Sequence, residues 1–252
     1  MPNTLRASTL VLLSLLLFGC AAAPAKRDPR DPWERMNRAT YKFNDRVDKA
    51  VARPLARTYQ KITPQFVRTG VSNFIDNLTY PTTIVNDLLQ AKFVQTGADT
   101  GRFLLNTTVG IGGLLDPATR AGLQKNDEDF GQTLGKWGAK PGPYLVIPFL
   151  GFSDVRDGFG RLADIYTTPT HYIRNGWISW PLWGVEVLDT RYRLLSADAL
   201  VDSAFDPYLF TKNAYLQRRQ YLVTDGEVDE EPPPEDPGAD VDTSSPPAQP
   251  TK

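Results

Sequence analysis

The 252-residue sequence is poor in the side chains that carry covalent chemistry, with one cysteine, one histidine and two methionines. A single cysteine, Cys20, rules out a disulfide within the chain and any cysteine-based metal site. A Ser-His-Asp site would have to be built around His171, and no Gly-x-Ser-x-Gly elbow accompanies it. Beside Pro169 in an aromatic stretch, His171 is expected to be a packing or interfacial residue. Gly110-Ile111-Gly112-Gly113 begins like a dinucleotide loop but lacks the third glycine and follows a helical pattern, so a helix–helix turn is expected. Asp127-Glu128-Asp129 lacks the alternating ligands and the later glutamate of a calcium loop and is expected to be a solvated turn. These absences point away from an enzyme, from a metal or cofactor and from nucleic acid. Beyond residue 20 no apolar run is long enough to span a bilayer.

The two ends differ from the middle. Residues 1–19 carry one basic residue, Arg6, then the apolar run Leu10–Phe18, the layout of a signal peptide. Leu17-Phe18-Gly19-Cys20 resembles the bacterial lipoprotein cleavage box, in which the thiol, here Cys20, takes a diacylglycerol. Each buried CH₂ of an acyl chain contributes about 0.8 kcal/mol, so two or three chains anchor firmly. Ala21 follows in place of the aspartate that would resemble an inner-membrane retention signal, which favours the outer membrane of a Gram-negative cell. Residues 20–32 form a lipidated linker. Residues 225–252 hold nine acidic side chains, seven prolines and no aromatic residue, and are expected to be a disordered acidic tail. The chain as a whole carries 28 basic and 29 acidic groups, but residues 20–224 carry 26 and 20, a modestly basic body that suits anionic head groups or plain solvent.

Between these ends, residues 33–224 have the periodicity of one all-α domain. Trp33–Ala52 is amphipathic, with Asp31-Pro32 as cap and breaker, Met36, Phe43, Val47 and Val51 on one face, Asn37 and Asn44 on the other, and Pro54 ending or kinking it. A second helix starts at Thr63-Pro64 and is broken at Thr79-Tyr80-Pro81. A short one follows with Ile84, Val85, Leu88 and Leu89 inward. Phe93–Val109, Ser153 to about Tyr166 (capped by Ser153 or Asp154), the run from Val185 to Ala199, and Asp206-Pro207 to about Leu222 complete the set. No strand pair is expected. Trp177, Trp180 and Trp183 suit either the head-group zone of a bilayer or a helical core, and the lipid anchor favours the interface. Asp129–Gly160 holds seven glycines and three prolines around the apolar run Tyr144–Leu150, so tightly bent backbone must face something apolar.

Five blocks resemble, in order, the MlaA (VacJ) family of outer-membrane lipoproteins: DPWERMNRATYKFND at 31–45, GVSNFIDNLTYPTTIVNDLLQAKF at 70–93, RFLLNTTVGIGGLLDPA at 102–118, residues 129–160, and DPYLFTKNAYLQRRQYL at 206–222. The resemblance implies a ring-like domain of amphipathic helices in the inner leaflet of the outer membrane. Its channel would pass misplaced outer-leaflet phospholipids to the periplasmic face, in partnership with a trimeric porin and a soluble periplasmic lipid carrier. A phospholipid needs a polar wall broken by apolar surface. Asn37, Asn44, Arg102, Asn106 and Thr107 are candidates for the first, and Tyr144, Val146 and Ile147 for the second. The family pattern also marks Gly138–Pro143, through Gly138 and Gly142, as a hairpin beside the channel. The alternative is a structural lipoprotein that scaffolds a porin or envelope complex without a conduit.

Overall fold

The computed structural model describes residues 28–227. The expected signal peptide, Cys20 with most of its linker, and all but the first three residues of the tail lie outside the described residues. Ten α-helices and one hairpin follow in the order α1 (Glu34–Val47), α2 (Arg53–Ile62), α3 (Gln65–Leu89), α4 (Phe93–Thr108), α5 (Pro117–Arg120), α6 (Phe130–Lys136), β1 (Tyr144–Ile147), β2 (Gly151–Asp154), α7 (Val155–Thr167), α8 (Gly176–Arg193), α9 (Asp198–Ser203) and α10 (Pro207–Val223).

The helix break expected at Thr79-Tyr80-Pro81 is absent, and the helical path also continues past Pro54. There a wide π-type turn, Asp48–Ala52, leads from α1 into α2, where Pro54 sits in the first turn. Pro81 lies inside α3, which runs for 25 residues. Thr79 Oγ1 donates to the Asp76 carbonyl at 3.0 Å, and burial of Tyr80 before the proline and of Thr82, Thr83, Asn86 and Asp87 beyond it holds the helix together. Pro181 likewise lies inside α8, so the tryptophan stretch and the periodic run after it are one helix. Caps follow the sequence more closely. Asp154 accepts from Asp157 N at 2.8 Å, and Asp206 accepts from Tyr208 N at 3.0 Å and Leu209 N at 3.2 Å. Asp31, the expected cap of α1, instead sends its carboxylate to Asn37 and Tyr208.

The expectation of no strand pair is also corrected. β1 and β2 form an antiparallel hairpin with Tyr144 opposite Asp154 and Ile147 opposite Gly151. The alternation that would reveal it covers only four residues, Tyr144 and Val146 inward and Leu145 and Ile147 less so, before Pro148 interrupts. Tyr144 and Val146 join Tyr208 in the small apolar core, with Tyr41, Phe152, Tyr215 and Leu216 packed around it. This core ties α1, the hairpin and α10 together; elsewhere α3 packs on α4, α6 on α7, and α2 on α8.

The burial pattern is inverted relative to a water-soluble domain. Among the described residues seven hydrophobic side chains are buried and nineteen polar or charged ones are. In α3, Val85, Leu88 and Leu89 are exposed while Asn86 and Asp87 are buried, the reverse of the inward face expected for Ile84, Val85, Leu88 and Leu89. In α4 and its C-cap, Leu104 and Val109 face out and Asp99, Arg102 and Asn106 face in. No helix of the described residues is long and apolar enough to cross a membrane.

Candidate functional site

The hairpin is held by two asparagines seven residues apart on α1. Asn37 Nδ2 donates to Asp31 Oδ1 at 2.8 Å and to the Tyr144 carbonyl at 2.9 Å, and its Oδ1 accepts from Val146 N at 2.9 Å. Two turns on, Asn44 Nδ2 donates to the Ile147 carbonyl at 3.0 Å and its Oδ1 accepts from Phe149 N at 3.0 Å. A carboxamide carries one acceptor and one donor group, as a peptide does, so α1 serves the free edge of β1 as a third strand would. Tyr144 N completes the edge by donating to the Arg30 carbonyl at 2.8 Å. The hairpin tip is apolar and open: Phe149 and Leu150 are exposed, and Phe149 meets the Phe43 ring edge-on at 5.2 Å.

The segment before the hairpin is tied to α7. The carbonyls of Pro141 and Pro143 accept from Arg156 N at 3.0 Å and Val155 N at 3.2 Å, filling the free donors of that helix start. Gly142 has φ +72° and its added Cβ would stand 3.2 Å from Val155 Cβ, so glycine is required twice over. Gly138 also has positive φ, with open space around it.

Arg102 and Asn106 form a second clamp. Arg102 Nη2 pairs with Asp116 at 2.6 Å and Nη1 donates to the Leu123 carbonyl at 2.7 Å. Asn106 Nδ2 donates to Asp116 at 3.1 Å and its Oδ1 accepts from Ala118 N at 3.1 Å. Together they hold α5 and its glycine-rich approach against α4, the helix–helix turn expected for Gly110–Gly113. Thr107 is exposed and accepts from Asn77 Nδ2 at 2.9 Å. Thus Asn37, Arg102 and Asn106 are buried and occupied in holding backbone, and Tyr144 and Val146 are buried in the core, whereas Asn44 holds backbone while remaining partly exposed, and Thr107, Ile147 and the glycines are reachable to differing degrees.

Asp127–Asp129 departs from the expected solvated turn. Glu128 is buried on Lys92 at 2.8 Å, and Asp129 pairs with Arg219 at 2.6 Å while capping α6. Next to Glu128 lie Asp87 and Asp99, both fully buried. Asp99 accepts from Tyr80 at 3.1 Å and Asn126 at 3.0 Å; Asp87 Oδ1 accepts from Gln95 at 2.7 Å. Burial, then the hydrogen bond to Asp99 and its charge, push the Asp87 carboxyl up to about 8.

Trp177, Trp180 and Trp183 are exposed along α8, with the Trp180 and Trp183 rings edge-on at 6.0 Å. Between α7, the Pro169–Tyr172 turn and α8 lies a cavity of about 400 Å³ whose walls include Arg161, Ile165, His171, Trp180, Trp183 and Glu186. His171 is exposed and stands edge-on between Tyr166 and Tyr172, at 5.6 and 5.4 Å. Arg161 and Glu186 belong to no motif in the sequence. Their only signal is that Glu186 stands among apolar neighbours, Val185 and Val187, on a helix otherwise uncharged from Gly176 to Leu188.

Comparison with known proteins bears on this arrangement directly. The family model described as MlaA lipoprotein matches residues 29–222. The chain is 38% identical over 244 residues, 93% of its own length and 94% of the relative's, to the intermembrane phospholipid transport system lipoprotein MlaA of Escherichia coli. It is 31% identical to the Haemophilus influenzae protein of the same name, covering 87% of this chain and 91% of that one. A solved structure described as the structural basis for maintenance of bacterial outer membrane lipid asymmetry aligns with a TM-score of 0.70 and 36% identity, covering 78% of this chain and all of that one. The chain belongs to the MlaA lipoprotein family.

Proposed function

We propose that this chain maintains outer-membrane lipid asymmetry by passing misplaced outer-leaflet phospholipids to the periplasmic face. The observation that carries this reading is the inverted burial: helices turn polar faces toward one another and apolar faces outward. A protein embedded in one leaflet needs that distribution, because its rim meets acyl chains. The passing lipid has an ionic head and apolar tails, so its path must offer both, as the cavity under α8 does.

In this reading Cys20 is lipidated, the domain sits in the inner leaflet facing the periplasm, and its helices ring an amphipathic path. Asn44, Thr107 and Ile147 lie along that path, while Asn37, Arg102, Asn106, Tyr144 and Val146 hold its wall in shape. Gly138–Pro143 adjusts beside it, and Trp177, Trp180 and Trp183 settle at the head-group level. A trimeric porin and a soluble periplasmic lipid carrier are the partners. The chain performs no covalent step, and the energy for transport is supplied elsewhere.

Deleting the gene and quantifying phospholipid exposed on intact cells tests the reading: exposure should rise, and fall again on complementation. Unchanged asymmetry would overturn it. A Gly142→Ala variant separates conduit from scaffold. A conduit loses asymmetry while porin co-purification persists, whereas a pure scaffold keeps the two linked.

A further inference from the structure

Most buried charges here are neutralised by a specific partner. Lys212 sits on Asp28 and Asp31 at 3.1 and 3.3 Å, Arg102 on Asp116 at 2.6 Å, and Arg219 on Asp129 at 2.6 Å. The cavity under α8 is arranged differently, with an exposed cation at its mouth and a partly buried anion that has no partner among the described residues. Its Arg161 guanidinium donates only to neutral carbonyls, those of Phe152 at 2.7 Å and Leu150 at 3.4 Å, and pairs with no carboxylate among the described residues. Its Glu186 is partly buried and makes no hydrogen bond or ion pair among the described residues. Burial alone pushes the Glu186 carboxyl up. The third charged group lining the cavity, Asp164, is already occupied by Phe130 N at 3.1 Å and Asn86 Nδ2 at 3.0 Å. One cation and one anion therefore line the same 400 Å³ space, within the size range of ligand clefts, without satisfying each other. Ile165, Trp180 and Trp183 supply apolar wall beside them.

We propose that this cavity is a station for a zwitterionic phospholipid head group bearing an N–H ammonium, its phosphodiester on Arg161 and its ammonium on Glu186. The proposal rests on the lipid-transport reading and adds a head-group preference to it. The glycerol and first methylenes lie against Trp180 and Trp183. A partly desolvated carboxylate is best satisfied by a charged donor, which a primary ammonium provides. A quaternary ammonium cannot donate, though the indoles favour it as a cation. An anionic head group without an amine satisfies Arg161 but leaves Glu186 unpaired and adds negative charge beside Glu186 and Asp164.

The test uses the full-length lipoprotein extracted in detergent and equilibrated with vesicles of equal phosphatidylethanolamine, phosphatidylcholine and phosphatidylglycerol, with retained lipid quantified by mass spectrometry. Wild type should retain ethanolamine lipid over glycerol lipid by roughly tenfold, the equivalent of about 1.4 kcal/mol for one charge-assisted hydrogen bond. Glu186→Gln should abolish that preference, Glu186→Lys should turn it toward the anionic lipid, and Arg161→Gln should lower retention of all three. Melting curves of each variant separate misfolding from lost recognition, and the wild-type ratio stands as a test even where a variant fails to fold. Retention in the vesicle ratio by wild type, preference for the choline lipid, or an unchanged ratio in folded Glu186→Gln and Glu186→Lys would overturn the station while leaving lipid transport intact. Retention of no lipid by wild type would overturn both.

Discussion

Replacing Asp87 by asparagine should stabilise this protein at neutral pH, although the residue is fully buried and hydrogen-bonded. The Asp87 carboxyl titrates at about 8 in the folded chain against 3.8 for an unperturbed aspartate. At pH 7 the folded state therefore holds a proton that the unfolded state has released. Folded-state affinity for that proton means that this group's contribution to stability is greatest below pH 4 and is lost as pH rises to 8. Over the interval from 3.8 to 7 the loss approaches 4 kcal/mol, at about 1.4 kcal/mol per unit. Asparagine mimics the protonated acid: its carbonyl still accepts from Gln95, and its amide takes the place of the proton given to Asp99. It also brings one surplus N–H, at a cost of about 1–3 kcal/mol. The net expectation is a gain of about 2 kcal/mol at pH 7, a rise in melting temperature of roughly 4–8 °C for a domain of this size. At pH 4.5 the linkage gain shrinks to about 1 kcal/mol and the variant should melt at or below wild type. Thermal melts of both proteins in the same detergent at the two pH values provide the assay. A variant less stable than wild type by more than about 1 kcal/mol at pH 7, or a gap independent of pH, would show that Asp87 is ionised and would refute the reasoning.

Three further outcomes follow from the same geometry. Asn37→Leu keeps volume but strips partners from Asp31, the Tyr144 carbonyl and Val146 N; it should cost about 2–4 kcal/mol and open residues 144–154 to limited proteolysis, whereas Asn44→Leu, nearer solvent, should cost less. Gly160→Ala places a Cβ 2.4 Å from Gly131 N where α6 crosses α7, and backbone cannot yield as a side chain does, so the melting temperature should fall far more than for Gly184→Ala, which meets nothing within 4 Å. Lys212→Met leaves Asp31 buried beside a lost cation and should destabilise by roughly 3–5 kcal/mol, read by denaturant titration.

The helices were legible in the sequence because period, caps and breakers are local. Asp154 and Asp206 cap where expected, and the Gly110–Gly113 turn stands where its glycines put it. Which face of each helix turns inward was not legible. Amphipathic spacing separates two faces but carries no mark of the medium each will meet, so Val85, Leu88 and Leu89 could be assigned inward when they face out. Pro81 misled for a related reason: it weakens a helix locally, and contacts on either side outweigh that loss. The asparagine clamp did leave a trace, Asn37 and Asn44 at heptad spacing, but the edge they satisfy lies about a hundred residues away, beyond any local pattern. Arg161 and Glu186 converge only because α7, the Pro169–Tyr172 turn and α8 border one cavity, which no spacing in the chain records.

The inverted burial has a thermodynamic consequence. The heat capacity of unfolding rises with newly hydrated apolar area and falls with newly hydrated polar area. Here much apolar surface is open before unfolding begins, and the interior released is largely carboxylate, carboxamide and guanidinium. The heat-capacity increment per residue should therefore lie below the usual 12–15 cal/mol/K, roughly, for globular proteins. Its stability curve is correspondingly shallow, with a weak dependence on temperature near its maximum and cold denaturation displaced to lower temperature. Cohesion that depends on paired charges and hydrogen bonds is also directional, so the domain should resist shear between its helices.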